Sequence, residues 1–150
     1  MHAPFEIAGN MARITGFLRK NGVDTTSANY YDSWLKYKCD VNLNINNIPE
    51  NRRSEAIDNF AKEAIDKYDI FHFHFGHSLY PDFRDLEELK QKDKKVLFSF
   101  WGSDMRSFEM VWYELARYLR YSPPEPYTFT FNLCHAHKII NRYADVMLGS

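Results

Sequence analysis

The sequence has few cysteines, no excess of charge of one sign and no long apolar run, and each shortage excludes a class of protein. Cys39 and Cys134 are too few for a disulfide framework, which favours a reducing compartment. Nineteen basic and 20 acidic residues give a net charge of −1, with no global attraction to nucleic acid. No apolar segment approaches the roughly 18–20 residues of a membrane span, and the N-terminus does not resemble a secretory signal. We therefore predict a cytoplasmic chain without a nucleic-acid partner.

Hydrophobic and aromatic side chains are abundant instead. They make up 45% and 17% of the 150 residues, which is enough for one domain with its own core. Strand-like and helix-like segments alternate along the chain, as is typical of βαβ units. The predicted fold is therefore α/β and Rossmann-like, with a doubly wound parallel sheet.

Hydrophobic periodicity and end signals locate the predicted elements. Helices are predicted over residues 7–21, 54–68, 81–92, 108–121 and 132–143. Strands are predicted over 24–31, 69–75, 95–100 and 144–148, with a strand or extended loop over 40–49. The apolar runs 69–75 and 95–100 should be neighbouring parallel strands. Gly22 should end the first helix, and Ser54 should be the N-cap of the second.

Both ends of the chain interrupt this pattern. Only residues 1–3 precede Pro4 and the first helix, whereas a doubly wound domain normally opens with a strand. Residues 146–150 end as another strand runs into its loop. We therefore expect a fragment truncated at both ends that lacks its leading strand; the alternative is a small sheet with natural ends.

Two groups of candidate site residues lie beside predicted elements. One precedes the first helix, and the other lies on and just after the strand over 69–75. Gly9 precedes the helix, where backbone N–H groups attract phosphate, or it only permits close packing. His72 and His74 share one face of the strand, and His77 follows its end. Ligands bind beyond the carboxyl ends of strands in open α/β sheets. His74 and His77 should therefore lie near the cleft, and His72 should be a hydrogen-bonded core residue.

A third group, Trp-Gly-Ser-Asp-Met-Arg, follows the strand over 95–100 and should open onto the same edge. Gly102 permits a tight turn, and Ser103 or Asp104 can cap a helix. Asp104 and Arg106 offer an acceptor and a bidentate donor to sugar hydroxyls or an anionic group. The alternative is a capped helix start with a surface ion pair.

These motifs, in this order, resemble the N-terminal domain of the group 1 (family 4) retaining glycosyltransferases of the GT-B fold. The resemblance is carried by EIAG, DIFHFHFGHS, FWGSDMR and RYADVMLGS, and it extends over essentially the whole chain. It implies that residues 1–150 are the acceptor-side domain of a two-domain enzyme. The donor-binding domain, with its glutamate-rich motif, would be missing, so this fragment alone should be inactive.

The resemblance also implies substrates and roles. A nucleotide-sugar would be the donor, and an acceptor hydroxyl would attack its anomeric carbon with retention and without a cofactor or an obligatory metal. His74 matches the histidine beside the transferred sugar and is the expected catalytic residue. Many relatives have His where this chain has Trp101. The expected substrate-binding residues are Gly9, His77, Gly102, Ser103, Asp104 and Arg106. Peripheral attachment to a membrane is left open.

Two other functions remain open at this stage. The spacing H-x-H-x-x-H also occurs in metal-dependent hydrolases, so His72, His74 and His77 are an alternative zinc site, with His135 or His137 as a further ligand. The other alternative is a non-enzymatic α/β interaction module, which would bind neither a nucleotide-sugar nor an acceptor.

Overall fold

The computed structural model of the chain describes residues 1–32, 36–101 and 136–149. The strands are His2–Ala3 (β1), Ala28–Asn29 (β2), Val41–Asn42 (β3), Ile70–His74 (β4), Lys95–Ser99 (β5) and Val146–Leu148 (β6). The helices are Asn10–Lys20 (α1), Glu50–Lys67 (α2) and Arg84–Gln91 (α3), with a 3-10 turn over Ile45–Asn47. Residues 136–143 are also helical.

Every strand pair among the described residues is parallel. One sheet has the order β1-β4-β5-β6, and β2 pairs with β3. A parallel bridge between His2 and Ser27 connects the two groups, giving the order β3-β2-β1-β4-β5-β6. This order is compatible with the predicted Rossmann-like fold. The predicted neighbours are confirmed, because β4 and β5 pair in parallel with Phe73 opposite Phe98.

The leading strand that was predicted to be missing is present, so that prediction was wrong. β1 has only two residues, yet it lies between β2 and β4 and is buried. The N–H of His2 donates to the carbonyl of Thr26 at 2.8 Å, and the N–H of His72 donates to the carbonyl of Met1 at 2.9 Å. A strand this short has no hydrophobic period to detect, since its pairing comes from the strands on either side.

Side chains alternate across β4 and β5 and so divide the sheet into two faces. One face carries the core, in which α2, α3 and Ile140 cover the sheet. Its fully buried sheet residues are Phe71, Phe73, Val96 and Phe98. The side of α2 that packs on this face buries Ala61, Ala64 and Ile65. The opposite face carries the polar residues His72, His74 and Ser99.

Left-handed backbone delays the start of α1. Ala8 and Gly9 have φ values of 53° and 80°, so the helix begins at Asn10 and not at residue 7. Its end agrees with the prediction, since Asn21 is the C-cap and Gly22 follows with φ 79°. A glycine at this position relieves the steric cost of the left-handed conformation.

The other two helices also differ from prediction at their starts. α2 begins at Glu50, with Pro49 in the N-cap position, so Ser54 lies inside the helix and the predicted cap was wrong. The acidic Glu50 in the first turn suits the helix dipole. α3 begins at Arg84, because Phe83 has φ 61° and cannot extend the helix backwards.

The remaining predicted elements are shorter than expected or lie outside the described residues. The strands predicted over 24–31 and 40–49 each reduce to two residues, and the strand over 144–148 is confirmed as Val146–Leu148. The helix over 132–143 is confirmed for residues 136–143. The helix predicted over 108–121 lies outside the described part of the chain.

Candidate functional site

Three histidines cluster on the sheet face opposite the core. The register sets His2 beside His72, and alternation brings His74 to the same face. Their ring centroids are 4.9 Å apart for His2 and His72, 4.3 Å for His72 and His74, and 5.6 Å for His2 and His74. Their nearest potential ligand atoms lie within 4.8 Å of one another.

Both ring nitrogens of His74 have partners. Nε2 lies 3.3 Å from Nδ1 of His2, and Nδ1 lies 3.4 Å from Nε1 of Trp101, in the loop after β5. The rings of His74 and Trp101 are nearly parallel, with an interplanar angle of 13° and centroids 6.3 Å apart. His74 is fully buried, so this residue, which was predicted to lie near the cleft, has no solvent-exposed surface.

His72 contacts a different partner. Its Nε2 lies 2.6 Å from Oγ of Ser99, the residue opposite His74 in the β4–β5 register. The prediction that His72 is hydrogen-bonded is confirmed, but the prediction that it is a core residue was wrong, because it lies on the face opposite the core. Its side chain is half-buried and therefore more exposed than that of His74.

Burial keeps all three imidazoles uncharged. It lowers the pKa of His2 to about 3, with a further contribution from His72. It lowers the pKa of His72 to about 4, and that of His74 to about 2 with contributions from His72 and His2. At pH 7 the cluster therefore provides neutral donors, acceptors or metal ligands, and it cannot offer a positive charge to a diphosphate.

The predicted metal site assembles only in part, because His72 and His74 come together but His77 does not join them. The described cluster contains His2 in place of His77, whose ring lies edge-on to Phe5 at 4.5 Å between centroids. His137, the predicted further ligand, contacts Phe100 edge-on at 5.3 Å. Phe100 follows Phe98 on the core face, so His137 lies on the wrong side of the sheet. The other predicted ligand, His135, lies outside the described residues.

Trp101 disfavours a metal at the observed cluster. A metal-bound imidazole normally donates its other N–H to a carboxylate, carbonyl or water. The indole N–H can only donate, so it requires an acceptor lone pair on Nδ1 of His74. With Nδ1 accepting, a neutral His74 holds its proton on Nε2, the nitrogen that faces His2 and that a shared metal would need.

Glu6 occupies the helix end where the sequence predicts a phosphate. Its carboxylate accepts the N–H groups of Met11 at 3.3 Å and Ala12 at 3.0 Å. At Gly9 an added Cβ would lie 3.0 Å from Cε1 of Tyr37, which supports the close-packing interpretation of this glycine. Its role in binding a donor phosphate stays a prediction.

His77 belongs to an aromatic group at the carboxyl edge of the sheet. Phe5, from the loop after β1, contacts His77 and stacks on Tyr31 with centroids 5.2 Å apart and planes 6° apart. The loops after β1, β2 and β4 therefore meet at this edge, where ligands bind in open α/β sheets. The predicted residues Gly102, Ser103, Asp104 and Arg106 lie outside the described residues.

His2 was not among the predicted site residues, and Phe5 and Glu6 were included only as part of the loop around Gly9, without a role of their own. All three come from the short first strand or the loop that follows it, a region without hydrophobic periodicity. The signal that could have identified them was positional, since residues after the first strand of a doubly wound sheet belong to its ligand-binding edge.

Comparison with known proteins finds no family model, no curated protein and no solved structure that matches this chain. None of the described helices combines the length and the apolar character that a membrane crossing requires. A functional assignment therefore rests on the motifs and on the geometry of the site.

Proposed function

We propose that this chain is the acceptor-side part of a retaining glycosyltransferase of the GT-B type, which moves a sugar from a nucleotide-sugar to an acceptor hydroxyl. The main support is that motif residues from three separate strands share one edge of a parallel sheet. Gly9 follows β1, His74 and His77 lie at the end of β4, and Trp101 follows β5. In an open α/β sheet this is the edge that binds ligands.

The charge state of the histidine cluster defines what this edge contributes to transfer. His74 is uncharged at pH 7, so it acts as a fixed dipole and not as a cation. Polar groups whose orientation is set before the reaction stabilise a transition state without reorganising. In the described geometry its polar partners are His2 and Trp101, so direct contact with a sugar requires one of them to move aside.

The carboxylate of Glu6 argues against a phosphate-binding site at the start of α1. It already accepts two N–H groups in the first turn of α1, and it would repel a diphosphate placed there. The proposal therefore assigns the nucleotide and its phosphates mainly to a donor-binding domain. The edge described here would hold the acceptor.

The proposal is tested by assaying the 150 residues alone and joined to their donor-binding domain. Transfer from a panel of nucleotide-sugars is measured by product mass, and the anomeric configuration by NMR. We expect transfer with retention only in the joined protein, since positioning both substrates supplies much of the rate. Replacing His74 with Ala should lower kcat by on the order of 10²–10³, whereas His137→Ala, on the core face, should not.

Three results would contradict this assignment. They are sustained turnover by the 150 residues alone, inversion at the anomeric carbon, or a joined protein that folds and transfers no sugar from any donor. Full activity of a folded His74→Ala variant would remove His74 from the mechanism while leaving the enzyme class intact.

A further inference from the structure

A chain of ring contacts crosses the sheet from β5 to β1. It runs from Trp101, in the loop after β5, through His74 at the end of β4 to His2 in β1. These strands are adjacent, so the chain lies across the sheet at the edge of the proposed cleft. His74 has no exposed surface and His2 is 4% exposed, while Trp101 at the outer end is half-buried.

The proton positions in this series of rings follow from whether each ring nitrogen can donate or accept a hydrogen bond. An indole N–H can only donate, so Nδ1 of His74 is an acceptor at 3.4 Å. A neutral imidazole has one acceptor nitrogen and one N–H, so the proton of His74 is on Nε2. That N–H donates to Nδ1 of His2 at 3.3 Å, which places the proton of His2 on its own Nε2. The strong burial of both rings keeps them neutral.

His72 takes no part in the described hydrogen bonds between Trp101, His74 and His2. Its Nε2 is engaged by Oγ of Ser99 at 2.6 Å, and its ring lies against that of His74 without a ring-to-ring hydrogen bond in the described set. The two nitrogens of His74 are therefore committed to Trp101 and His2.

We infer that His2 is a positioning residue for His74, that Nδ1 of His74 holds the indole of Trp101 at the carboxyl edge, and that Trp101 is the residue that contacts the acceptor sugar. In the described geometry both ring nitrogens of His74 are engaged, whereas the indole has partly exposed surface at the edge. Aromatic side chains with a few fixed polar groups are typical of small-molecule sites. The assignment of the acceptor contact rests on the proposed function; the assignment of the proton positions does not.

The proton positions are tested by NMR of the 150-residue chain with ¹⁵N-labelled histidine, in which long-range ¹H–¹⁵N correlations distinguish Nδ1–H from Nε2–H. We expect His74 and His2 to be neutral Nε2–H tautomers at pH 7 and His74 to stay neutral to pH 5. Trp101→Phe keeps an aromatic ring but removes the donor, so His74 should then populate both tautomers.

Variants at His2 provide a matched pair. His2→Asn keeps an acceptor oxygen near the position of Nδ1 and should preserve the chemical shift of the His74 Nε2–H, whereas His2→Leu should keep the tautomer that Trp101 sets but shift that resonance upfield, because the N–H loses its acceptor. His137→Asn, on the core face, should leave the His74 signals unchanged. An Nδ1–H tautomer of His74 in the unmodified chain, or protonation of His74 near pH 6.5, would overturn the inference. So would stoichiometric Zn²⁺ binding that depends on His2 and His74.

The contact with substrate is tested in the active joined protein. Trp101→Ala should raise the KM for the acceptor by about tenfold to a hundredfold, the range for one lost pocket contact, and leave the KM for the donor unchanged. Trp101→Phe keeps a ring but loses the N–H that His74 accepts, so it should recover only part of this loss. An unchanged acceptor KM in Trp101→Ala would overturn the sugar contact. A joined protein without transferase activity would refute the proposed function and would leave the NMR result standing.

Discussion

At the scale of single residues, three glycines in and beside α1 allow the cost of a left-handed backbone to be measured separately from the cost of a steric contact. Gly9 has φ 80°, and a Cβ there would lie 3.0 Å from the ring of Tyr37. Gly22 has nearly the same φ, 79°, with nothing within 4 Å of the added atom. Gly16 lies inside the helix, and its Cβ position is also open. Gly16 and Gly22 therefore differ in backbone conformation, and Gly22 and Gly9 differ in the space available to an added Cβ.

We expect these glycines to respond differently to replacement by alanine. Gly16→Ala should stabilise the chain by about 0.5–1 kcal/mol, because alanine is the better helix former. Gly22→Ala should destabilise it by about 1–2 kcal/mol through its left-handed backbone. Gly9→Ala should cost more than Gly22→Ala, since Tyr37 must also shift. Urea unfolding of the three variants gives these free energies. Equal losses at Gly9 and Gly22 would show that the Tyr37 ring moves aside without cost.

At this scale the sequence predicts candidate site residues but not the side chains that contact them. The motif around β4 identifies His74 because alternation and strand position depend only on local sequence. The contacts with Trp101 and His2 depend on the register of three strands that are far apart along the chain. The same limit explains why the position of His77 was not predicted. It belongs to the motif around β4, but its ring contacts Phe5 and not the other histidines.

At the scale of elements, Asp85 connects the loop after β4 to the first turn of α3. Its carboxylate is 1% exposed and accepts the hydroxyl of Ser78 at 2.6 Å and the N–H of Leu79 at 2.9 Å. The hydroxyl of Tyr30 donates to the carbonyl of Leu79 at 2.8 Å, which fixes the same loop from the other side. This loop follows His77, so Asp85 helps to define the edge of the proposed cleft.

Replacing Asp85 with Ala should therefore cost about 2–4 kcal/mol of unfolding free energy. The substitution leaves a buried hydroxyl and a buried N–H without their acceptor, and each such loss costs about 1–3 kcal/mol. The matched control is Asp82→Ala, which removes an exposed carboxylate that pairs with Arg84 at 3.3 Å. Exposed pairs contribute about 0–1 kcal/mol. Similar losses for the two variants in chemical denaturation would contradict the structural role of Asp85.

The existence of the longer elements could be predicted, but their starts could not. The period of apolar residues in α2 reflects the face that packs on the sheet, so the stripe at Ala61, Ala64 and Ile65 follows from sequence. Where a helix begins depends on the φ of the residues before it. The left-handed Phe83 before α3 is held by its surroundings and has no signal in its residue type.

At the scale of the whole molecule, the parallel α/β sheet was predictable because each βα unit carries its own apolar pattern. The pairing of β4 with β5 follows from two apolar runs separated by one helix. The short strands β1, β2 and β3 have two residues each and are stabilised by their neighbours. Their presence depends on long-range pairing, which a local pattern does not encode.

The buried histidines and the buried Asp85 change the pH dependence of the free energy of unfolding in opposite directions. The histidines of the cluster have pKa values of about 3, 4 and 2 when folded, against about 6.5 when unfolded. Between pH 6.5 and 4 the unfolded chain therefore binds up to three more protons. Burial raises the pKa of Asp85 to about 6 from 3.8, so between these values the folded chain binds one more proton. The histidines outnumber the carboxyl group, so the unfolded state binds a net two protons more.

We therefore expect the free energy of unfolding to fall as the pH is lowered from 6.5 towards 4. One proton changes stability by about 1.4 kcal/mol per pH unit, so the slope should approach 2–3 kcal/mol per pH unit. The N-terminal amine, whose pKa burial lowers to about 6, acts in the same direction between pH 8 and 6. Urea unfolding at pH 7.5, 6, 5 and 4.5 measures this slope. His72→Asn removes one titrating group and should reduce the slope by about half. Stability that rises as the pH falls from 6 to 4.5 would mean that Asp85 dominates, and that the histidine cluster is protonated in the folded chain.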